Sequence, residues 1–478
     1  MIRANQDNTI FKIIITNYHI YSQYLVFNLR FILNICTFHL FVLPLQPKSN
    51  NCAIFLITKG MKILFVVNNF FCKGNGLDES ARRTVQALRE AGQEVRILSG
   101  RNLEDPDGEK PDYEMEEFDF PIIQPMLSSF GYHFAKWKGP QIEEAVRWAD
   151  VIHMEETFFL HHAAMNIARK LGKPMVGTYH VHPENIVFNS LGFRGGFLFC
   201  QALYRYWCRV FYDNYQYLQC PTENVRERLI RHHVKAKCFT LSNGVIPDKC
   251  IRPVTPPDDY FDPERPLDLI YIGRTAIEKD QPTLYKAIRM SKYAKRIRLH
   301  IAGRGPKLDE YTRMAEQLYE DGIVSYKPVV GFYNRDQLRE LAAKADLAVH
   351  CAYVEVEGMS ITEAMQQAVV PIIATARYSG TATYALDDHS RFPAKDARAL
   401  AERIDYWFDH PQKRWEMGFE YARSMEQYEI ANCAKKLIQT YEFAIQEMNN
   451  NESHTHHFHL PVLSALKHSS KQAGKRVA

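Results

Sequence analysis

No two of the ten cysteines stand at the C-x2-C spacing of a zinc or dithiol site. Cys36, Cys52, Cys72, Cys200, Cys208, Cys220, Cys238, Cys250, Cys351 and Cys433 lie singly along the chain, as free thiols of a reducing compartment do. The strings H-E-x-x-H, G-x-S-x-G and G-x-x-x-x-G-K-[ST] are also missing, which argues against zincin, serine-hydrolase and Walker-type chemistry. Net charge is small: 59 basic against 55 acidic residues leave +4 on 478 residues. That falls short of the clustered basic footprint of a nucleic-acid binder. The apolar stretch 25–45 is broken by Asn28, Arg30, Asn34 and His39. A central Arg costs about 2.5–3.5 kcal/mol on membrane insertion, and no A-x-A cleavage signal follows.

What is present is a hydrophobic fraction of 46%, enough for a sizeable core, in a chain long enough for two or three domains. The charge is unevenly placed. Residues 1–60 hold no Glu and one Asp and carry +4, residues 449–478 carry +3, and 61–448 carry −3. At Met61 the text changes to the strand-like Met61-Lys62-Ile63-Leu64-Phe65-Val66-Val67. We read Met61 as the start of the regular protein and 1–60 as upstream sequence, with an imperfect membrane anchor as the alternative. The His-dotted 449–478 (His454, His456, His457, His459) lacks a carboxylate or Cys at fixed spacing and reads as a disordered, solvated tail.

From Met61 short apolar runs alternate with helical patterns, the mark of βαβ units and parallel sheets. Strands are expected at 63–67, 94–98, 150–153 and 174–179. The Pro-rich stretch 248–266 reads as a linker. A second series follows, with strands at 267–273, 298–302, 324–327, 347–350 and 370–374 and helices at 337–345, 361–368 and 397–408. The expected fold is α/β: two Rossmann-like doubly wound domains, 61–247 and 267–430, facing a cleft at the carboxyl ends of their strands.

The richest constellation is Glu355-Val356-Glu357-Gly358-Met359-Ser360-Ile361-Thr362-Glu363, a strand exit running into a helix. Glu355 and Glu363 can face one ligand, the amides at Ser360–Thr362 offer an anion site, and Glu363 can accept two ribose hydroxyls. The competing reading is a capping box, Ser360 with Glu363, that needs no ligand. Gly273-Arg274 and Glu278-Lys279 place two cations in a strand-exit loop, where they converge on a diphosphate or stay solvated. Lys73-Gly74-Asn75-Gly76 joins a strand to a helix without the G-x-G-x-x-G fingerprint. His180 lies at a strand's carboxyl end, where ligand residues and structural histidines both occur. Asp105-Pro106-Asp107 reads as surface. Phe130–Lys138 and Phe193–Tyr217 mix aromatics with Arg194, Arg205 and Arg209, as a core face or a membrane-lying helix would.

These pieces fall in the order and spacing of the retaining glycosyltransferases of family 4, with the GT-B fold, which residues 61–448 resemble. The resemblance rests on Gly76, Thr178-Tyr179-His180, Pro221-Thr222-Glu223, Ser242-Asn243-Gly244-Val245, Gly273-Arg274 with Glu278-Lys279, Ala302-Gly303-Arg304-Gly305-Pro306 and the E-x7-E pair. It implies a hexosyltransferase using a nucleotide sugar (UDP- or GDP-linked) and a saccharide or lipid-linked acceptor, without metal or cofactor. It implies that Gly273, Arg274 and Lys279 hold the donor diphosphate and that Glu363 binds the ribose. Glu355 then meets the transferred sugar with main-chain groups at Met359, Ser360 and Ile361, Gly76 lets its loop close on the phosphates, and His180 contacts the sugar near the reacting centre. It further implies a helix at 431–448 crossing back to the first domain; the free thiols point to a cytoplasmic protein, and the basic-aromatic segments, read first as core, leave peripheral contact with the inner face of the membrane as the alternative. Asn75 and the string Glu357-Gly358-Met359-Ser360 depart from the commoner family pattern. A sugar-nucleotide epimerase or phosphorylase of the same fold, or a non-catalytic nucleotide-sugar-binding protein, are the alternatives.

Overall fold

A computed structural model of the chain describes residues 60–450 except 72–75, 104, 121–123, 125–132, 191–195 and the side chains of 188–190. The expectations for 1–59, 451–478, Lys73-Gly74-Asn75 and most of 130–133 lie outside the described residues.

The first domain runs β1 (Lys62–Val66), α1 (Gly76–Glu90), β2 (Glu94–Gly100), β3 (Tyr113–Met115), β4 (Glu117–Phe118), β5 (Phe134–Ala135), α2 (Pro140–Trp148) and β6 (Val151–Met154). It continues through α3 (Phe159–Lys170), β7 (Met175–Thr178), α4 (Pro183–Ser190), α5 (Phe197–Val210), β8 (Tyr217–Cys220), α6 (Glu223–Arg231) and β9 (Lys237–Thr240). The second domain runs β10 (Leu267–Ile272), α7 (Gln281–Met290), β11 (Ile297–Ala302), α8 (Leu308–Glu320), β12 (Val329–Gly331), α9 (Arg335–Lys344), β13 (Leu347–His350) and β14 (Val354–Glu355). Then come α10 (Met359–Met365), β15 (Val370–Thr375), β16 (Tyr378–Ser379), β17 (Arg391–Pro393), α11 (Ala397–Asp409), α12 (Pro411–Met425) and α13 (Ile430–Asn450).

The two main sheets are ordered β3-β2-β1-β6-β7-β8-β9 and β12-β11-β10-β13-β15-β17, and every pairing in them is parallel. Both are doubly wound, with strand order reversing between β1 and β6 and between β10 and β13. A ligand crevice opens at such a switch point. The central strands β6, β7 and β13 are buried along their whole length, and their text is apolar except for His153, Thr178 and His350.

One expected strand is misplaced. Residues 324–327 form a turn, and the strand is β12 at Val329–Gly331. Val324 is buried because its amide bonds back to the Leu318 carbonyl at the end of α8, so an inward-facing apolar residue imitated a strand. The helix expected at 361–368 starts earlier and stops at Met365, where Ala368 takes a left-handed conformation (φ 59°).

The stretch 248–266 is packed rather than loose. The buried Arg252 donates to the Ala343 carbonyl (3.0 Å), and Arg265 pairs with Asp346 (2.5 Å), which also holds Arg414 (2.9 Å). Helix α13 buries Cys433, Ala434, Leu437, Tyr441 and Ala444, one face at helical spacing, among Ile63, Phe65, Val85 and Leu88 of the first domain. The last helix therefore completes the core of the first domain.

Candidate functional site

Strand β10 delivers Gly273 and Arg274 to the switch point of the second sheet. A Cβ at Gly303, after β11, would lie 2.0 Å from the Gly273 carbonyl oxygen, so only glycine lets these two exit loops touch. Arg274 Nη2 meets Glu278 Oε1 at 2.9 Å, and the fully buried Glu278 fixes the direction of a guanidinium that stays partly exposed. Lys279 Nζ pairs directly with Glu355 Oε2, and His350 Nε2 lies 3.7 Å from the same oxygen. Burial would raise the Glu355 carboxyl, but the charges of Lys279 and Arg274 win and hold it below the usual range. Burial pushes His350 down to about 4.

Gly358, at φ 86°, turns the chain into α10, and a Cβ there would sit 2.7 Å from Thr381. Met359 opens the helix. The capping box is not formed: the Ser360 hydroxyl instead donates to the Ile272 carbonyl (3.0 Å), tying α10 to the end of β10. The amides of Ile361 and Thr362 already donate to the Gly358 carbonyl (3.1 and 3.4 Å), so the expected open amide at Ile361 is corrected to one committed within the turn. Glu363 reaches across to the first domain, where Arg83 Nη1 of α1 meets its Oε1 at 2.8 Å. Arg83 also meets Glu79 at 3.3 Å.

The facing wall belongs to the first domain. Gly76 opens α1, is exposed, and would meet nothing within 4 Å if given a Cβ. His180 follows β7, with Nε2 against the carboxylate of Glu155, which follows β6. The domains are stitched beside it. Glu357 is buried, takes hydrogen bonds from the Ser242 hydroxyl, the Tyr384 hydroxyl (2.7 Å) and the Asn243 amide (3.1 Å), and burial raises its pKa. The Thr222 hydroxyl donates to the Val356 carbonyl (3.1 Å). The carboxyl ends of β8 and β9 thus meet the exit of β14.

The expected residues Arg274, Lys279, Glu355 and Glu363 therefore converge on one side, with Gly273, Met359 and Ser360 as their scaffold and His180 opposite. Arg83, Glu155, Glu156 and Glu357 were not expected. Glu155 and Glu156 sit one step past β6, at the switch point, so strand-exit position was the signal available for them. Nothing in the helical pattern of α1 marks Arg83.

A cavity of about 370 Å³ lies at the ends of β11 and β12, lined by Gly303, Arg304, Asp309, Thr312, Gly331 and Phe332, with Arg304 stacked 4.5 Å over the Phe332 ring. Asp105-Pro106-Asp107 is an exposed turn. Helix α5 divides its large apolar residues: Tyr204 and Trp207 are core, whereas Phe197, Leu198 (81% exposed) and Phe199 project outward, with the exposed Arg205 about two turns further along the helix. Among the described residues no helix is long and apolar enough to cross a membrane.

Residues 74–249 match the model of Glycosyltransferase Family 4, and residues 257–425 match that of the Glycosyl transferases group 1. The α-monoglucosyldiacylglycerol synthase of Streptococcus pneumoniae is 24% identical over 329 residues, 66% of this chain and 71% of that protein. Anabaena HepE, solved with UDP and glucose, is 16% identical with a TM-score of 0.57, covering 80% of this chain and 100% of its own. Sucrose-phosphate synthase of Thermosynechococcus elongatus matches at 16% identity and TM-score 0.57, over 81% and 99%.

Proposed function

The chain belongs to the family 4 glycosyltransferases of GT-B type, and from that premise we propose that it moves a hexose from a UDP-linked donor to a hydroxyl of a lipid acceptor, retaining the anomeric configuration. The observation that carries this is the cluster of Arg274, Lys279 and Glu355 at the switch point of the second sheet, with Glu363 on the helix that Ser360 ties to the end of β10. Two cations there neutralise the charge that builds on a departing diphosphate, and an acidic pair receives the sugar and ribose hydroxyls. Lys279 exchanges its Glu355 partner for phosphate oxygens, and Glu363 exchanges Arg83 for the ribose. With both cations supplied by side chains, neither metal nor cofactor enters this reading.

On the reacting face the bond from the anomeric carbon to the phosphate oxygen breaks while the acceptor oxygen adds from the same side. The acceptor proton passes to the departing diphosphate, so no enzyme nucleophile takes part. The chain's contribution is positioning and electrostatic stabilisation. The cavity at Gly303, Arg304 and Phe332 is the place for the base. UDP is favoured by HepE, which is solved with UDP and glucose. A lipid acceptor is favoured by the S. pneumoniae relative, a glucosyldiacylglycerol synthase. It is also favoured by the outward Phe197, Leu198 and Phe199 with Arg205 further along the same helix, an apolar tip and a cation suited to peripheral contact with an anionic bilayer on the cytoplasmic side.

The test is a panel of UDP- and GDP-sugars with extracted lipids and with soluble saccharides, run on the wild type, Glu363→Ala and Arg274→Ala. Transfer to lipid from a UDP-hexose, lost in both variants, is expected. Unchanged turnover in the variants, or no sugar transferred by the wild type to any acceptor, overturns the reading.

A further inference from the structure

Behind His180 runs a chain of buried polar groups that the proposed reaction leaves unused. Glu155 is 3% exposed and divides its carboxylate between two histidines: Oε1 lies 2.9 Å from His153 Nε2, and Oε2 contacts His180 Nε2. His153 is fully buried. Its Nε2 is also 2.9 Å from the Thr178 hydroxyl, and its Nδ1 is 2.8 Å from the Tyr441 hydroxyl on α13. The ring is stacked 4.4 Å from Phe65. An ionised carboxylate only accepts, so His153 Nε2 carries the hydrogen and Nδ1 accepts from Tyr441. The His153 ring and the Tyr441 hydroxyl are thereby fixed in place before a substrate arrives.

His180 is the end of the chain that meets the second domain, where helix α4, three residues on, packs against the turn that carries Lys279. We propose that Glu155 is a positioning residue for sugar transfer: it grips His180 by Nε2, keeps the ring protonated, and so leaves Nδ1–H as the donor offered to the substrate. The assignment rests on the transferase reading above for what that donor meets. The charged groups around His180 are Glu155 and Glu156 from the exit of β6 and Glu357 from the second domain, all acidic. Burial opposes a charged ring, yet these three carboxylates, Glu155 foremost, raise His180 above an ordinary histidine. Glu155 in turn is held well below the carboxylate range against its own burial by His180 and His153. A buried charge of this kind persists only when paired on site.

The test compares Glu155→Gln, Glu155→Asp and Tyr441→Phe with the wild type. Glu155→Gln keeps the shape and removes the charge. We expect kcat about a hundred-fold lower, as for loss of one preorganised donor, with the donor KM within about two-fold. The alkaline limb of the kcat profile moves to lower pH, because the ring loses its proton sooner, and Glu155→Asp restores part of both. Tyr441→Phe gives the same change in weaker form and serves if Glu155→Gln does not fold. A fall in kcat that is equal at every pH, or a loss carried by KM, overturns the assignment. The second arm needs no turnover: with 15N-histidine labelling, the His180 resonance, identified by its absence in His180→Gln, should titrate at lower pH in Glu155→Gln and Tyr441→Phe. An unmoved titration refutes the pairing even in an active enzyme, whereas a moved titration in a protein that transfers no sugar refutes the transferase reading instead.

Discussion

On the second domain the charged groups are paired in twos and reach solvent in part: Arg274 with Glu278, Lys279 with Glu355, and Glu363 with Arg83 across the gap. On the first domain Glu155, His153 and Tyr441 are sealed, with His153 joining the carboxylate to a hydroxyl drawn from the far end of the chain. On the proposed reaction, the difference follows from what each wall must do. Cations that take a diphosphate need partners they can exchange, and partial exposure keeps that exchange cheap. A single imidazole that must point one way is better fixed by groups that water never reaches, where an unmet hydrogen bond costs most.

The comparison can be pressed hardest at Lys279. Lys279→Ala should cut kcat/KM for the donor roughly 10²–10³-fold, as for other preorganised charge-stabilising groups, and steady-state kinetics measure it. A ten-fold loss or less would mean that this wall does not carry the departing charge. Next comes Leu437→Ala, on the buried face of α13, where loss of a side chain only 2% exposed should cost about 2–5 kcal/mol in urea unfolding. UDP affinity in the surviving folded protein should be unchanged, which separates the wall this helix supports from the donor wall.

Glu156 supplies a pH test of the sealed wall. Burial lifts its carboxyl to about 7 from 4.5, although it accepts a hydrogen bond from the Asn68 amide (2.7 Å). A raised carboxyl binds its proton more tightly when folded, so stability falls as pH rises from the unfolded value toward 7. Glu156→Gln should therefore melt higher than the wild type at pH 8, by up to about 3 kcal/mol, with the gap closing toward pH 5. A gap that does not change with pH would place the effect in packing. The smallest effect is expected at Arg83→Ala, which frees Glu363. Donor KM should fall, by at most about five-fold given the worth of partly exposed pairs. A rise in KM would make Arg83 a donor contact rather than a competitor.

Much of this arrangement was legible in the text of the chain. The alternation of strands and helices exposed both doubly wound sheets, because parallel strands covered on two faces are mostly apolar. Arg274, Lys279, Glu355 and Glu363 were visible because strand exits and helix starts are marked by Gly and by local spacing. What spacing could not reveal is contact between distant segments. Arg83 with Glu363 and Tyr441 with His153 join positions about 280 residues apart, set by how the domains meet. The misplaced strand at 324–327 has a related cause, since a buried Val after a helix reads the same whether a sheet or a helix end covers it.

Helix α13 also bears on how the protein is made. The first domain's sheet is fully translated once Thr240 has been added, but the face that receives Cys433, Leu437 and Tyr441 stays uncovered for roughly 200 more residues. At about 5–20 residues per second that is some 10–40 s on the ribosome. During that interval the parts of Ile63, Phe65 and Leu88 that α13 covers stay open, and His153 Nδ1 lacks its Tyr441 hydroxyl. The domain that is synthesised first is therefore the one finished last, and a ribosome stalled in the second domain would display an apolar strip for chaperones to find.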